Sequence, residues 1–167
     1  IEALREHESD VEVILVGDRD AIEAELATHE SAPPRISIYH APDRVQGNDS
    51  PASVIRKKPH SSIVVGLELQ RKGEADAFVS AGSTGAVMAT SLFKLKTLPG
   101  VDRPAVGTLL PTAKEPCLLV DAGANIDCKP QHLVQFAHLG SIYAREIMGR
   151  TEPRIALLNI GKEPGKG

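Results

Sequence analysis

The chain has 167 residues, 41% of them apolar and 25% charged, the size of one ordinary domain with enough apolar material to enclose a core. A formal net charge of −3 with acids and bases interspersed leaves no basic field for nucleic acid, and a 3% aromatic content without tryptophan leaves neither a base-stacking platform nor a membrane-interface belt. Cys117 and Cys128 are the only cysteines and no apolar run reaches membrane-spanning length, which excludes a disulfide scaffold and points to a soluble protein of the reducing cytoplasm.

Ile1 to Arg5 read as the back of a helix. Val11 to Val16 form a short run rich in β-branched residues, closed by Gly17, which suits a strand buried in a sheet. Asp18 is a helix cap, residues 20–28 fit a short amphipathic helix, Pro33-Pro34 stop it, and residues 35–39 read as a second strand, so a βαβ unit is expected. Ser50-Pro51 open a helix, Pro59 interrupts it, and Ser61 restarts one that runs to Gly73. Phe78 to Ser80 are the next strand, and Gly82-Ser83-Thr84-Gly85 turn into a helix over 86–96 that ends at Pro99-Gly100. Two strands are expected at 105–110 and 118–121. Leu133, Phe136, Ala137, Gly140, Tyr143, Ala144 and Ile147 then recur at helical spacing between Pro130 and Gly149. Arg154 to Ile160 close the series as a strand, and the chain stops soon after, at Gly165-Lys166-Gly167. Alternating strands and helices predict an α/β sandwich with a mainly parallel sheet, forming a single domain over residues 1–167 of a longer protein.

In such sheets ligands bind beyond the carboxyl ends of the strands, where helix N-termini attract anions. Three loops take that position. Gly82, Ser83, Thr84 and Gly85 offer a phosphate cradle of backbone amides and two hydroxyls, or else a tight turn with a Ser/Thr cap. The stretch from Asp121 to His132 gathers two carboxylates, an amide, an ammonium and an imidazole. Asn125 and Lys129 could donate to an oxyanion, His132 could donate to phosphate or shuttle a proton, and Asp121 and Asp127 could orient those donors around Gly123. The bland alternative makes Asp127 a turn cap and His132 a solvated helix residue. Asn159 to Gly167 is a third strand end, in which Gly161 borders the turn and Lys166 offers a point charge to phosphate.

Other chemistries fail on spacing. Gly161 to Lys166 lacks the residue count and the hydroxyl of a nucleotide P-loop, and no Gly-x-Gly-x-x-Gly fingerprint or Gly-x-Ser-x-Gly elbow occurs. Cys128, His132 and His138 lack a fourth zinc ligand. No metal and no cofactor are expected.

The run Ala75 to Ala86, the segments Gly100-Val101-Asp102-Arg103-Pro104-Ala105 and Leu110-Pro111-Thr112, the stretch from Asp121 to Ala137, and Leu157 to Gly161 with Gly165-Lys166-Gly167 together resemble the PlsX-type phosphate acyltransferases. The likeness extends over nearly the whole chain in one order. Ser83 stands where that family commonly has asparagine, and the family's opening strand and C-terminal half have no counterpart here, which implies the N-terminal half of a protein about twice as long. The resemblance implies a three-layer α/β/α Rossmann-like sandwich similar to the isocitrate/isopropylmalate dehydrogenases and phosphotransacetylases. It also implies acyl transfer from acyl carrier protein to inorganic phosphate in phospholipid synthesis, a homodimer, coupling to a membrane glycerol-3-phosphate acyltransferase, and peripheral attachment to the inner face of the membrane. On that reading Lys166, His132 and Asn125 carry catalysis, and Gly82 to Gly85, Asp121, Gly123, Asp127, Lys129, Asn159 and Gly161 bind phosphate or substrate. Two rival functions are an acyl-coenzyme A/phosphate transferase of the phosphotransacetylase kind and a non-catalytic module that binds acyl carrier protein.

Overall fold

A computed structural model describes residues 4, 11–29, 35–125, 127–159 and 161–162, which fall into two compact units, 1–96 and 97–167. In the first unit, strand β1 (Val13–Gly17) pairs in parallel with β2 (Ile36–His40), in register from Val13 opposite Ile36 to Gly17 opposite His40. A parallel pair needs a crossover, and helix α1 (Arg19–Leu26) supplies it. Its start is fixed by Asp18, whose Oδ1 accepts from the Ala21 amide at 3.0 Å.

Helix α2 (Pro51–Lys57) begins after Ser50 with proline in its first turn, where the missing amide costs nothing. Helix α3 (Ser62–Lys72) ends at Gly73 in the left-handed region, and α4 (Thr84–Lys94) follows. Ile63, Val64 and Leu67 share one face of α3 and close on Val54 of α2 and Ala86 of α4. These five residues are at most 4% exposed, and Val45, Phe78 and Val87 pack against them. Side chains of this size contribute roughly 1.5–3 kcal/mol each on burial, so the three-helix cluster is the main fastener of this unit. On its rim, Glu68 of α3 pairs with Arg71 and, at 3.0 Å, with Lys94 of α4.

The second unit is built on an antiparallel pair, β3 (Gly107–Leu110) with β4 (Cys117–Val120), joined through Pro111 to Pro116. Helix α5 (Pro130–Glu146) packs over β4, with Gly140 against Val120 and Leu118. Among the described residues the buried side chains here are few: Phe136 at 2% and Ala144 at 6% exposure, with His132 at 4%.

The alternation of strands and helices predicted from sequence holds for the four strands and five helices named above. The described residues are α/β, but their pairings are one parallel and one antiparallel rather than mainly parallel. The short connection between β3 and β4 explains the latter, since only antiparallel neighbours can be joined without a crossover. Two expected strands are not formed among the described residues. Neither residues 78–80 nor 154–159 have a laddered partner, and a strand exists only as a member of a pair. Val79 is 92% exposed and Leu157 79% exposed, so their apolar side chains are not enclosed as a buried strand would require. The apolar face expected on α5 is likewise buried only at Phe136 and Ala144, whereas Ile147 is 68% exposed. No described helix is long and apolar enough to cross a membrane.

Candidate active site

The turn from Gly82 to Gly85 lies in the first unit at the start of α4, with all four residues exposed. Ser83 is the N-cap: its Oγ accepts from the Ala86 amide at 3.3 Å. The Gly82 amide is held by Ser80 Oγ at 3.1 Å. Gly85 is a matter of space, because a Cβ there would lie 3.0 Å from Pro51 Cγ of α2. The turn therefore performs the capping role for the Ala86 amide, one of the first-turn amides that no helix can satisfy for itself. Thr84 takes no part in the cap.

The stretch from Asp121 to His132 connects β4 to α5 in the second unit. Asp121 is its anchor. Oδ1 accepts from the Val106 amide at 2.8 Å, and Oδ2 accepts from the Asn125 amide at 2.7 Å and from Asn125 Nδ2 at 3.1 Å. Partial burial pushes the Asp121 carboxyl up, and the amides of Val106, Asn125 and Ala124 more than offset that, leaving it below the ordinary aspartate value. Asn125 Nδ2 donates its other hydrogen to the Pro104 carbonyl at 2.9 Å. Both side-chain hydrogens of Asn125 are thus committed to the loop. Gly123 has φ +97, a conformation that side chains with a Cβ rarely adopt, and it lets the chain turn back so that Asn125 reaches Asp121.

Asp127 is exposed and its carbonyl, not its carboxylate, is the contact: Arg103 Nη1 donates to it at 3.1 Å. Lys129 is exposed at the N-cap of α5, and His132 is buried three residues on, its Nδ1 accepting from the Lys129 amide at 3.1 Å. The bland reading of His132 as a solvated helix residue is therefore wrong for this fold. At the third loop, the Asn159 Oδ1 accepts from the Gly161 amide at 2.9 Å and closes a small turn. Lys166 lies outside the described residues.

The structure thus brings Asp121, Gly123, Asn125, Asp127, Lys129 and His132 together on one connection, and keeps Gly82 to Gly85 on a turn of the first unit. It also shows fasteners that residue chemistry alone did not single out. Gln135 of α5 donates to the Gly100 carbonyl at 3.2 Å and to Asp102 Oδ2 at 3.1 Å, and its Oε1 accepts from the Asp102 amide at 3.0 Å. Gln131, one turn earlier, also reaches Asp102 Oδ2 at 3.3 Å. The signal available in sequence was the spacing of Gln131 and Gln135, four apart and so on one helix face.

Over residues 1–167 the chain matches the model of a family described as "Fatty acid synthesis protein". The chain belongs to that family. Among relatives within it, the phosphate acyltransferase of Desulforamulus reducens is 55% identical over 157 residues, covering 94% of this chain and 47% of the relative. That of Salinibacter ruber is 45% identical over 168 residues, covering 100% and 50%, and that of Desulfitobacterium hafniense is 52% identical over 166 residues, covering 99% and 49%. The chain spans about half the length of the curated relatives it matches. In this member of the fatty acid synthesis family, the fully matched region contains both the capped turn and the Asp121-anchored loop.

Proposed function

We propose that the protein is a phosphate acyltransferase that converts acyl-[acyl carrier protein] and inorganic phosphate into acyl phosphate for phospholipid synthesis. The observation that carries this reading is the 45–55% identity to phosphate acyltransferases over nearly every residue of the chain. The site geometry is compatible with it. An oxygen of phosphate attacks the thioester carbonyl, the new carbon–oxygen bond forms as the carbon–sulfur bond breaks, and the carrier leaves as its thiolate. Phosphate is nucleophilic near neutral pH, so positioning and stabilisation of the oxyanion suffice and no covalent enzyme intermediate is needed.

Within this reading Lys129, His132 and Lys166 are the donors to anionic oxygen. Asp121, Gly123 and Asn125 hold the loop in shape. The partners are acyl carrier protein and phosphate, with a homodimer and coupling to a membrane glycerol-3-phosphate acyltransferase as further parts of the proposal, together with a cytoplasmic location and peripheral contact with the inner membrane face. We read the chain as one α/β domain, the N-terminal half of a three-layer α/β/α Rossmann-like protein. The support for these finer points is the resemblance of the motifs, not the pairing of the described strands.

The test is incubation of the intact protein with acyl carrier protein thioester and phosphate, with mass detection of acyl phosphate. Thiol release that does not depend on phosphate, or no acyl phosphate at all, would sink the proposal. Substituting acyl-coenzyme A as donor separates the phosphotransacetylase-like rival, and binding of carrier without turnover would favour the non-catalytic one.

A further inference from the structure

Sequence leaves two roles open for His132, proton shuttle or fixed donor, and the start of α5 separates them. His132 is 4% exposed. Its backbone amide donates to the Lys129 carbonyl at 2.9 Å while its ring Nδ1 accepts from the Lys129 amide at 3.1 Å. A neutral imidazole carries one ring proton, and an imidazolium carries two and accepts nothing. A ring that accepts at Nδ1 is therefore neutral with its proton on Nε2. Rotating the ring by half a turn would put a C–H against the Lys129 amide and orphan that amide at the helix start, where capping is needed most. No described residue accepts from Nε2.

We infer that His132 acts as a fixed hydrogen-bond donor through Nε2–H to an anionic oxygen of the reaction, and not as its general base. A base needs a free lone pair. The Nδ1 lone pair is occupied by the Lys129 amide and Nε2 has none to offer, so this ring can stabilise charge on oxygen but cannot take a proton without breaking the cap of α5. The inference rests on the phosphate acyltransferase reading for the identity of the oxygen, which belongs to phosphate or to the thioester carbonyl as it becomes an oxyanion.

Long-range 1H–15N NMR of the intact protein, with the His132 signals assigned by their loss in His132→Asn, reads the ring directly and without turnover. The expected result is an unprotonated Nδ1 and a protonated Nε2; a proton on Nδ1, or on both nitrogens, overturns the inference whatever the enzyme's activity proves to be. Kinetics then names the acceptor. His132→Asn keeps a short acceptor for the Lys129 amide but lacks the distal donor, and should lower kcat/KM on the order of 10²-fold with the unfolding midpoint retained. His132→Gln places an amide N–H near the Nε2 position and should recover part of that loss. A raised KM for phosphate assigns the bond to phosphate, and a lowered kcat at unchanged KM assigns it to the carbonyl oxyanion. If both variants lose activity equally and in step with their unfolding midpoint, the ring is only a structural cap and the inference fails. If no acyl phosphate is formed by the unsubstituted protein while the ring has the expected tautomer, the functional reading fails and the donor assignment of the ring stands.

Discussion

The turn at Gly82 to Gly85 and the connection from Asp121 to His132 both lead into a helix N-terminus, yet they are held by different forces. The first stands on a closed apolar cluster of Val54, Ile63, Val64, Leu67 and Ala86, and its side-chain fasteners are two short local bonds, Ser83 to the Ala86 amide and Ser80 to the Gly82 amide. Among the described residues the second has only Phe136, Ala144 and His132 buried near it in sequence, and its shape is set by the Asp121 carboxylate drawing in the amides of Val106 and Asn125. Where packing is thin, an acid serves as the fastener. Among the polar residues gathered in the candidate site, Asp121 and Asn125 are thus the ones that hold the loop.

The comparison can be broken most severely through the apolar cluster. Leu67→Ala empties a site that is 2% exposed and should cost about 2–5 kcal/mol, read from the denaturant midpoint and from faster amide exchange in α3. A cost under about 1 kcal/mol would mean that the cluster is not the fastener of this unit. Asp121→Ala is the matching blow to the second region. It leaves the part-buried Val106 and Asn125 amides without their acceptor, at about 1 kcal/mol each, the low end for an unsatisfied donor, and exchange at those two amides should accelerate. Asp121→Asn retains one acceptor oxygen and should fall between the two.

Ser83→Ala sharpens the contrast at the first turn. Loss of the cap to Ala86 should cost about 1 kcal/mol, while Ser83→Asn, an equally good cap, should stay within about 0.5 kcal/mol. If acyl transfer by Ser83→Asn is unaltered, the hydroxyl is there for the cap and not for phosphate.

The smallest effects come from pH and salt. Asp121 and Glu68 both titrate below their ordinary values when folded, Glu68 from 4.5 down to about 2 through its bonds to Arg71 and Lys94. The unfolded chain therefore binds the extra protons in that window. The stability each carboxylate adds is fully present above the ordinary value and is lost as pH falls through the folded one, for Glu68 between 4.5 and about 2. Carboxyl NMR titrations at low and high salt should move Glu68 back toward 4.5, since exposed ion pairs are screened, and leave Asp121 in place because neutral amides hold it. An Asp121 value that rises equally with salt would point to an ionic rather than an amide anchor.

Much of this was legible in the chain itself. The β-branched run before Gly17, the cap Asp18, the helix starts after Ser50 and Ser61, whose hydroxyls make no capping bond, the stop at Gly73 and the periodic helix after Pro130 each encode their element locally, through backbone preference and side-chain spacing. The loop residues around Asp121 were also visible as an unusual density of polar groups. Their division of labour was not, because Asp121 finds Val106 and Asn125 finds Pro104 only once β3 and β4 are paired. The strand expected at 78–80, and the one expected at 154–160 over its described residues 154–159, show the same limit, as a run of apolar residues states a preference and a ladder needs a neighbour.

Sequence by itself determined the order and kind of the four strands and five helices formed among the described residues, the family, and which residues crowd the β4–α5 connection, because propensity, capping and motif are properties of adjacent residues. Only the tertiary structure decided that Asn125 is committed to Asp121 and Pro104 and which ring nitrogen of His132 accepts the Lys129 amide. Hydrogen bonds are directional and saturable, so the role left to each donor depends on which partners the fold has already given it.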